Sequence, residues 1–128
     1  MAIKINRILS FKLIVASAIL ALTAMLLAAC GSSAAHFTIE AKDNMTFAPD
    51  TITVKPGQTV ELTLVNNGKL DHTFTAPDLN IEAILRAGET KRVTFTAPQA
   101  GEYRFYSATI QDFETMKGKI KVTTDLGK

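Results

Sequence analysis

From His36 onward, apolar residues recur at every second position in short runs, and Pro, Gly, Asn and Asp fall between the runs. Side chains alternate across a strand, so a period of two marks half-buried β-strands. His36–Ala41 predicts a first strand with Phe37 and Ile39 on one face. After a turn at Lys42–Asn44, Met45–Asp50 leads into a strand at Ile52–Val54, closed by the Pro56-Gly57 turn. Thr59–Val65 alternates cleanly with Val60, Leu62 and Leu64 inward. Asn66–Lys69 reads as a turn, and His72–Ala76 as a strand that places His72 on the face of Phe74 and Ala76. Further strands follow at Ile81–Leu85 and at Lys91–Thr96, the latter with Val93 and Phe95 inward. The next strand, starting at Gly101, has Tyr103, Phe105 and Ser107 inward and Glu102, Arg104 and Tyr106 outward; the last covers Lys119–Thr123. These are seven or eight strands with no convincing helix, and their spacing favours a two-sheet sandwich. Tyr103, near the start of its strand, fits a tyrosine corner.

The N-terminal 29 residues follow a different pattern. Lys4, Arg7 and Lys12 precede an apolar run from Leu13 to Leu27, and Leu27-Ala28-Ala29 leads directly into Cys30. A basic start, a short apolar stretch and small residues before a cut describe an export signal. The run is shorter than the roughly 20 residues of a membrane span. The cysteine after Leu-Ala-Ala resembles a bacterial lipobox, which implies cleavage before Cys30, lipidation of its thiol and a membrane-tethered product in the cell envelope. Residues 30–35 then form the lipidated cysteine and a short tether, and 36–124 the domain.

That division changes the charge balance. The leader holds three of the 14 basic residues and none of the 12 acidic ones, so the remainder carries 11 against 12 and a net charge of −1. The basic pI belongs to the leader, and no basic run interleaved with aromatics points to nucleic acid. Cys30 is the only cysteine, so the domain has no disulfide, no cysteine metal cluster and no thiol nucleophile. No phosphate loop or dinucleotide fingerprint occurs. The two histidines, His36 and His72, lie in no nucleophile motif, so the chain reads as non-enzymatic.

A longer pattern spans most of the domain. Phe47-x-Pro49-x-x-Ile52-x-Val54 is followed by Asn66-Asn67-Gly68, His72-x-Phe74, Gly101-x-Tyr103-x-Phe105 and Met116-x-Gly118-x-Ile120-x-Val122. It resembles the cupredoxins over about Phe37 to Val122, most closely the cysteine-free plastocyanin-like and EfeO-type domains. The resemblance implies an all-β cupredoxin-like Greek-key β-sandwich with a metal site at one end. Its first histidine ligand matches His72 and its axial methionine matches Met116. Ser107 stands at the cysteine position, and the second histidine would fall near Gln111 or Asp112. Blue copper depends on a His₂Cys set, and a serine hydroxyl cannot replace a thiolate, so a blue site is excluded.

The donors that the resemblance would cluster are His72, Asp112, Glu114 and Met116. Imidazole with carboxylate suits Cu(II), iron or zinc, and imidazole with thioether suits Cu(I). The expected cofactor is therefore copper at a non-blue site, with iron as the second candidate. Each residue also has a structural reading: His72 as a histidine hydrogen-bonded beside Asp71, Met116 as edge packing, Asp112 and Glu114 as solvated loop carboxylates. Three functions follow in order. The first is copper or iron binding and trafficking, with a membrane oxidase or transporter as partner. A metal-free docking module and a copper electron carrier come next.

Overall fold

The computed structural model describes residues 33–109 and 115–127. Nine strands form two sheets: β1 (Ala35–Lys42), β2 (Thr46–Ala48), β3 (Thr51–Val54), β4 (Thr59–Val65), β5 (His72–Ala76), β6 (Ile81–Leu85), β7 (Thr90–Thr96), β8 (Gly101–Tyr106) and β9 (Lys117–Val122). One sheet has the order β2-β1-β4-β7 and the other β3-β9-β8-β5-β6. β1 runs parallel to β4 and β3 parallel to β9, while the remaining pairs are antiparallel. Among the described residues the only helical segment is a single 3₁₀ turn, Pro77–Leu79, and no helix is long and apolar enough to cross a membrane.

The all-β sandwich matches the sequence expectation, with one strand more than the seven or eight counted. The difference lies at Met45–Asp50. Thr46–Ala48 is a strand in its own right, paired with the end of β1, and the chain changes sheets at Pro49 so that β3 joins β9. Proline lacks the N–H that a continuing ladder would need, so the segment divides there. The last strand also starts two residues earlier than expected, at Lys117.

The two inner faces supply the core in strict alternation. Val60, Leu62 and Leu64 of β4 are fully buried, as are Phe74 and Ala76 of β5. At the centre Phe74 stacks on Phe105 with ring centroids 4.8 Å apart. The Phe47 ring meets both edge-on, at 5.7 and 5.3 Å. These are the offset and edge-to-face geometries that aromatic quadrupoles favour. Gly118 opposes Phe105 across the β8–β9 ladder, and a Cβ there would run into the Phe105 ring and the Asp50 carbonyl. The position is glycine because the ring occupies the space a side chain would need. Tyr103 donates its hydroxyl to the Gln99 carbonyl at 2.8 Å, which makes the expected tyrosine corner.

Two tests follow from this packing and from the surface carboxylates. Phe74→Ala removes a fully buried ring and is expected to lower the unfolding free energy by about 3–5 kcal/mol, read from urea denaturation. The second concerns pH. Asp43 is held below its ordinary pKa by the Lys69 and Leu70 N–H groups, Glu89 by the Arg86 N–H, and Glu102 by Lys119. A depressed carboxyl pKa contributes stability that is complete above the unfolded value and is lost as the pH falls through the folded one. The urea midpoint is therefore expected to hold steady on this account from neutrality down to about pH 4.5 and to drop below it. A midpoint that rises on acidification below that point contradicts the assignment.

Candidate metal centre

At one pole of the sandwich, β5 begins, β8 ends and the chain turns into β9. His72 opens β5, Ser107 follows β8 directly and Met116 precedes β9. All three are buried, at 1%, 0% and 0% exposure. The period of two that buries Phe74 and Ala76 also turns His72 inward. Ser107 ties the three segments together. Its hydroxyl accepts the Thr73 N–H at 3.1 Å, and its own N–H donates to the Met116 carbonyl at 2.9 Å. The same hydroxyl lies 3.4 Å from Thr73 Oγ1 and 3.3 Å from Thr109 Oγ1, and Thr73 Oγ1 accepts the Ala108 N–H. The serine thus works as a hydrogen-bonded neutral group at this pole.

Two residues that the sequence reading treated only as turn formers hold the approach to His72. Asn66 is fully buried; its Nδ2 donates to the carbonyls of Leu70 at 2.8 Å and Leu85 at 3.0 Å, while its Oδ1 accepts the Gly68 N–H. Asp43, at the end of β1, accepts the Lys69 and Leu70 N–H groups. Its Oδ1 lies 4.0 Å from His72 Nε2. The side chain at Gly68 must be hydrogen, because a Cβ would overlap the Asp43 carboxylate. Asp71 does not serve His72 as the sequence suggested: its carboxylate accepts the Ala87 N–H at 2.8 Å. Among the described residues a carboxylate reaches the imidazole instead from Asp43, 29 positions upstream. His36, read as a surface residue, is exposed beside Glu61 at 3.5 Å.

The structure therefore brings His72 and Met116 to the same pole with Ser107 between their segments. Gln111, Asp112 and Glu114 lie outside the described residues, as does Cys30. Among the described residues no three His, Cys, Asp or Glu side chains gather in a way that would hold a metal ion. The donor set does not fit a blue copper centre, because Cys30 is the only cysteine and the residue between the His72 and Met116 segments is a hydrogen-bonded serine. An imidazole with a thioether does fit a soft cuprous ion.

The comparisons agree with the fold. A family model described as the cupredoxin-like domain matches residues 13–122, and the chain belongs to that family. Auracyanin A, a "blue" copper protein from Chloroflexus aurantiacus, is 24% identical with a TM-score of 0.64, covering 71% of this chain and 100% of its own. The metal-binding domain of the Cu(I)-exporting P-type ATPase CopA of Streptococcus pneumoniae, solved with Cu(I), is 20% identical with a TM-score of 0.56, covering 69% and 84%. The periplasmic domain of cytochrome oxidase subunit II from Bradyrhizobium japonicum is 12% identical with a TM-score of 0.58, covering 73% and 88%. At these identities the likeness is one of fold. The comparison with curated proteins gives no match.

Asn66→Ala tests the anchoring of the loop that leads to His72. It leaves the buried Leu85 carbonyl without its side-chain donor and is expected to cost about 1–3 kcal/mol of stability. Faster amide hydrogen exchange at Gly68 is expected with it. Unchanged exchange there would show that the loop is held by other means.

Proposed function

We propose that this chain is an extracytoplasmic, membrane-tethered copper-binding protein that holds Cu(I) at His72 and Met116 and hands it on. The observation that carries this reading is the burial of His72 and Met116 at one pole, on segments that Ser107 joins through the Thr73 N–H and the Met116 carbonyl. Imidazole and thioether are the soft, neutral donors that favour Cu(I) over harder ions, which sets copper ahead of iron. Asp112 and Glu114 are the further oxygen donors of this proposal, on the segment just before Met116. A site without thiolate or a second histidine binds reversibly, which suits capture and release. Electron transfer at a fixed potential needs a rigid complete ligand cage, so the reading is neither an electron carrier nor an enzyme.

The direction of the chain adds to it. β1 starts at Ala35 beside Val60, and its other end reaches Asp43 next to His72. Eight strand residues span about 26 Å, so β1 starts at the pole opposite His72. The partner proposed to receive the metal is the extracytoplasmic part of a membrane oxidase or transporter. Related folds carried by an oxidase subunit and a Cu(I)-exporting ATPase support that choice of partner.

The second reading is a metal-free docking module. It is favoured by the Ser107 hydroxyl, which is engaged with the Thr73 N–H and lies 3.4 Å from Thr73 Oγ1. Titration of residues 33–128, a compact unit with its own core, separates the two. Cu(I) is expected to bind in a one-to-one complex, and His72→Ala and Met116→Leu are each expected to weaken it at least about tenfold. Loading with Cu(II) is expected to give no intense visible thiolate band. Cu(I) affinity no better than that of free histidine and methionine would leave the docking module standing. An intense visible band would restore the electron carrier.

A further inference from the structure

The outward rows of β8 and β9 carry four basic residues against one acidic residue. β9 places Lys117, Lys119 and Lys121 at alternate positions on the outer side of the five-stranded sheet, and β8 adds Arg104. Register sets Arg104 directly opposite Lys119, Tyr106 opposite Lys117 and Glu102 opposite Lys121. Like charges directly opposed across strands destabilise a sheet. Arg104 against Lys119 is the one such pair in this register, while Glu102 faces Lys121 with the opposite charge. One carboxylate answers the row: Glu102 bonds Lys119 at 2.9 Å. Among the described residues, Arg104, Lys117 and Lys121 have no acidic group within ion-pair distance. The surrounding field also contributes to holding the Glu102 carboxyl below its ordinary pKa.

We propose that this face is a docking surface for an acidic patch on a partner protein. Four of the 11 basic residues beyond the leader stand here, although that part of the chain is net negative. The three lysines span about 13 Å along the strand, and the row begins one residue after Met116. Beside Lys117 and Lys119 lies an open depression of about 790 Å³, which Arg104 and Tyr106 also line, with the Asp50 and Glu102 carboxylates on its wall. A lipid surface needs only the charge. A depression with an aromatic at its edge suits a protruding acidic side chain, and aromatic and arginine side chains are enriched where proteins meet. Complementary charge at such a face accelerates encounter and fixes orientation. The surface stands whether or not the neighbouring pole holds copper.

The test uses the full-length protein in non-ionic micelles and a fluorescein-labelled peptide of alternating Asp and Glu, followed by fluorescence anisotropy. The peptide is expected to bind with an affinity that falls as salt rises. Lys117→Glu with Lys121→Glu is expected to weaken it at least about tenfold, and the milder Lys117→Gln with Lys121→Gln to weaken it less. Arg86→Glu with Arg92→Glu makes the same change in net charge at exposed positions elsewhere and is expected to leave the affinity within about twofold. Equal loss in both reversed pairs overturns the proposal, since the peptide would then be sensing net charge alone. Displacement of the peptide by phosphatidylglycerol added to the micelles overturns it in favour of a lipid surface. Failure of the peptide to bind the unaltered protein overturns it outright.

Discussion

The candidate pole depends on the way one serine closes the seam between β5, β8 and β9. The backbone ladder joining β5 to β8 has a single registered pair, Thr75 with Tyr106. Beyond it the Ser107 hydroxyl takes over by accepting the Thr73 N–H, and the Ser107 N–H joins Met116. A buried N–H without an acceptor costs as much as a lost hydrogen bond, so this side chain completes the sheet where main-chain pairing gives out. In doing so it fixes His72 and Met116 on neighbouring segments. It also removes the option of a thiolate at that spot, so the group that orders the pole limits what the pole can bind.

The rest of the fold supports that arrangement from below and from the side. The Phe47, Phe74 and Phe105 rings fill the space between the sheets under His72, and Gly118 yields its side-chain volume to Phe105. From the side, Asn66 and Asp43 gather the N–H and carbonyl groups of the loop between β4 and β5. That loop changes sheets and has no strand partner for its own backbone. The Asn66 N–H donates to the Glu89 carbonyl, the other groups named are held by side chains, and the imidazole of His72 is delivered from a braced segment.

Much of the sandwich was legible along the chain because its code is local. Alternation identified the buried faces of β4, β5 and β8, and Ser107 and His72 were assigned inward correctly from that period alone. The split of Met45–Val54 into two strands was not legible. A short apolar segment interrupted by proline reads as one element until its partners are known, and β2 and β3 pair with different sheets. Asp43 was equally hidden. As a residue in a turn it resembles any other aspartate, and its bonds to Lys69 and Leu70 join positions more than two dozen residues apart.

By itself, then, the order of residues determined the all-β class, the inward faces, the cupredoxin-like family pattern and the missing cysteine, because each depends on residue type and near-neighbour spacing. The tertiary structure decided which strands lie side by side, that Asp43 rather than Asp71 approaches His72, and that Arg104 and Lys119 face one another. Those outcomes depend on register and sheet order, which are set by the summed packing of the whole core rather than by any one stretch of chain.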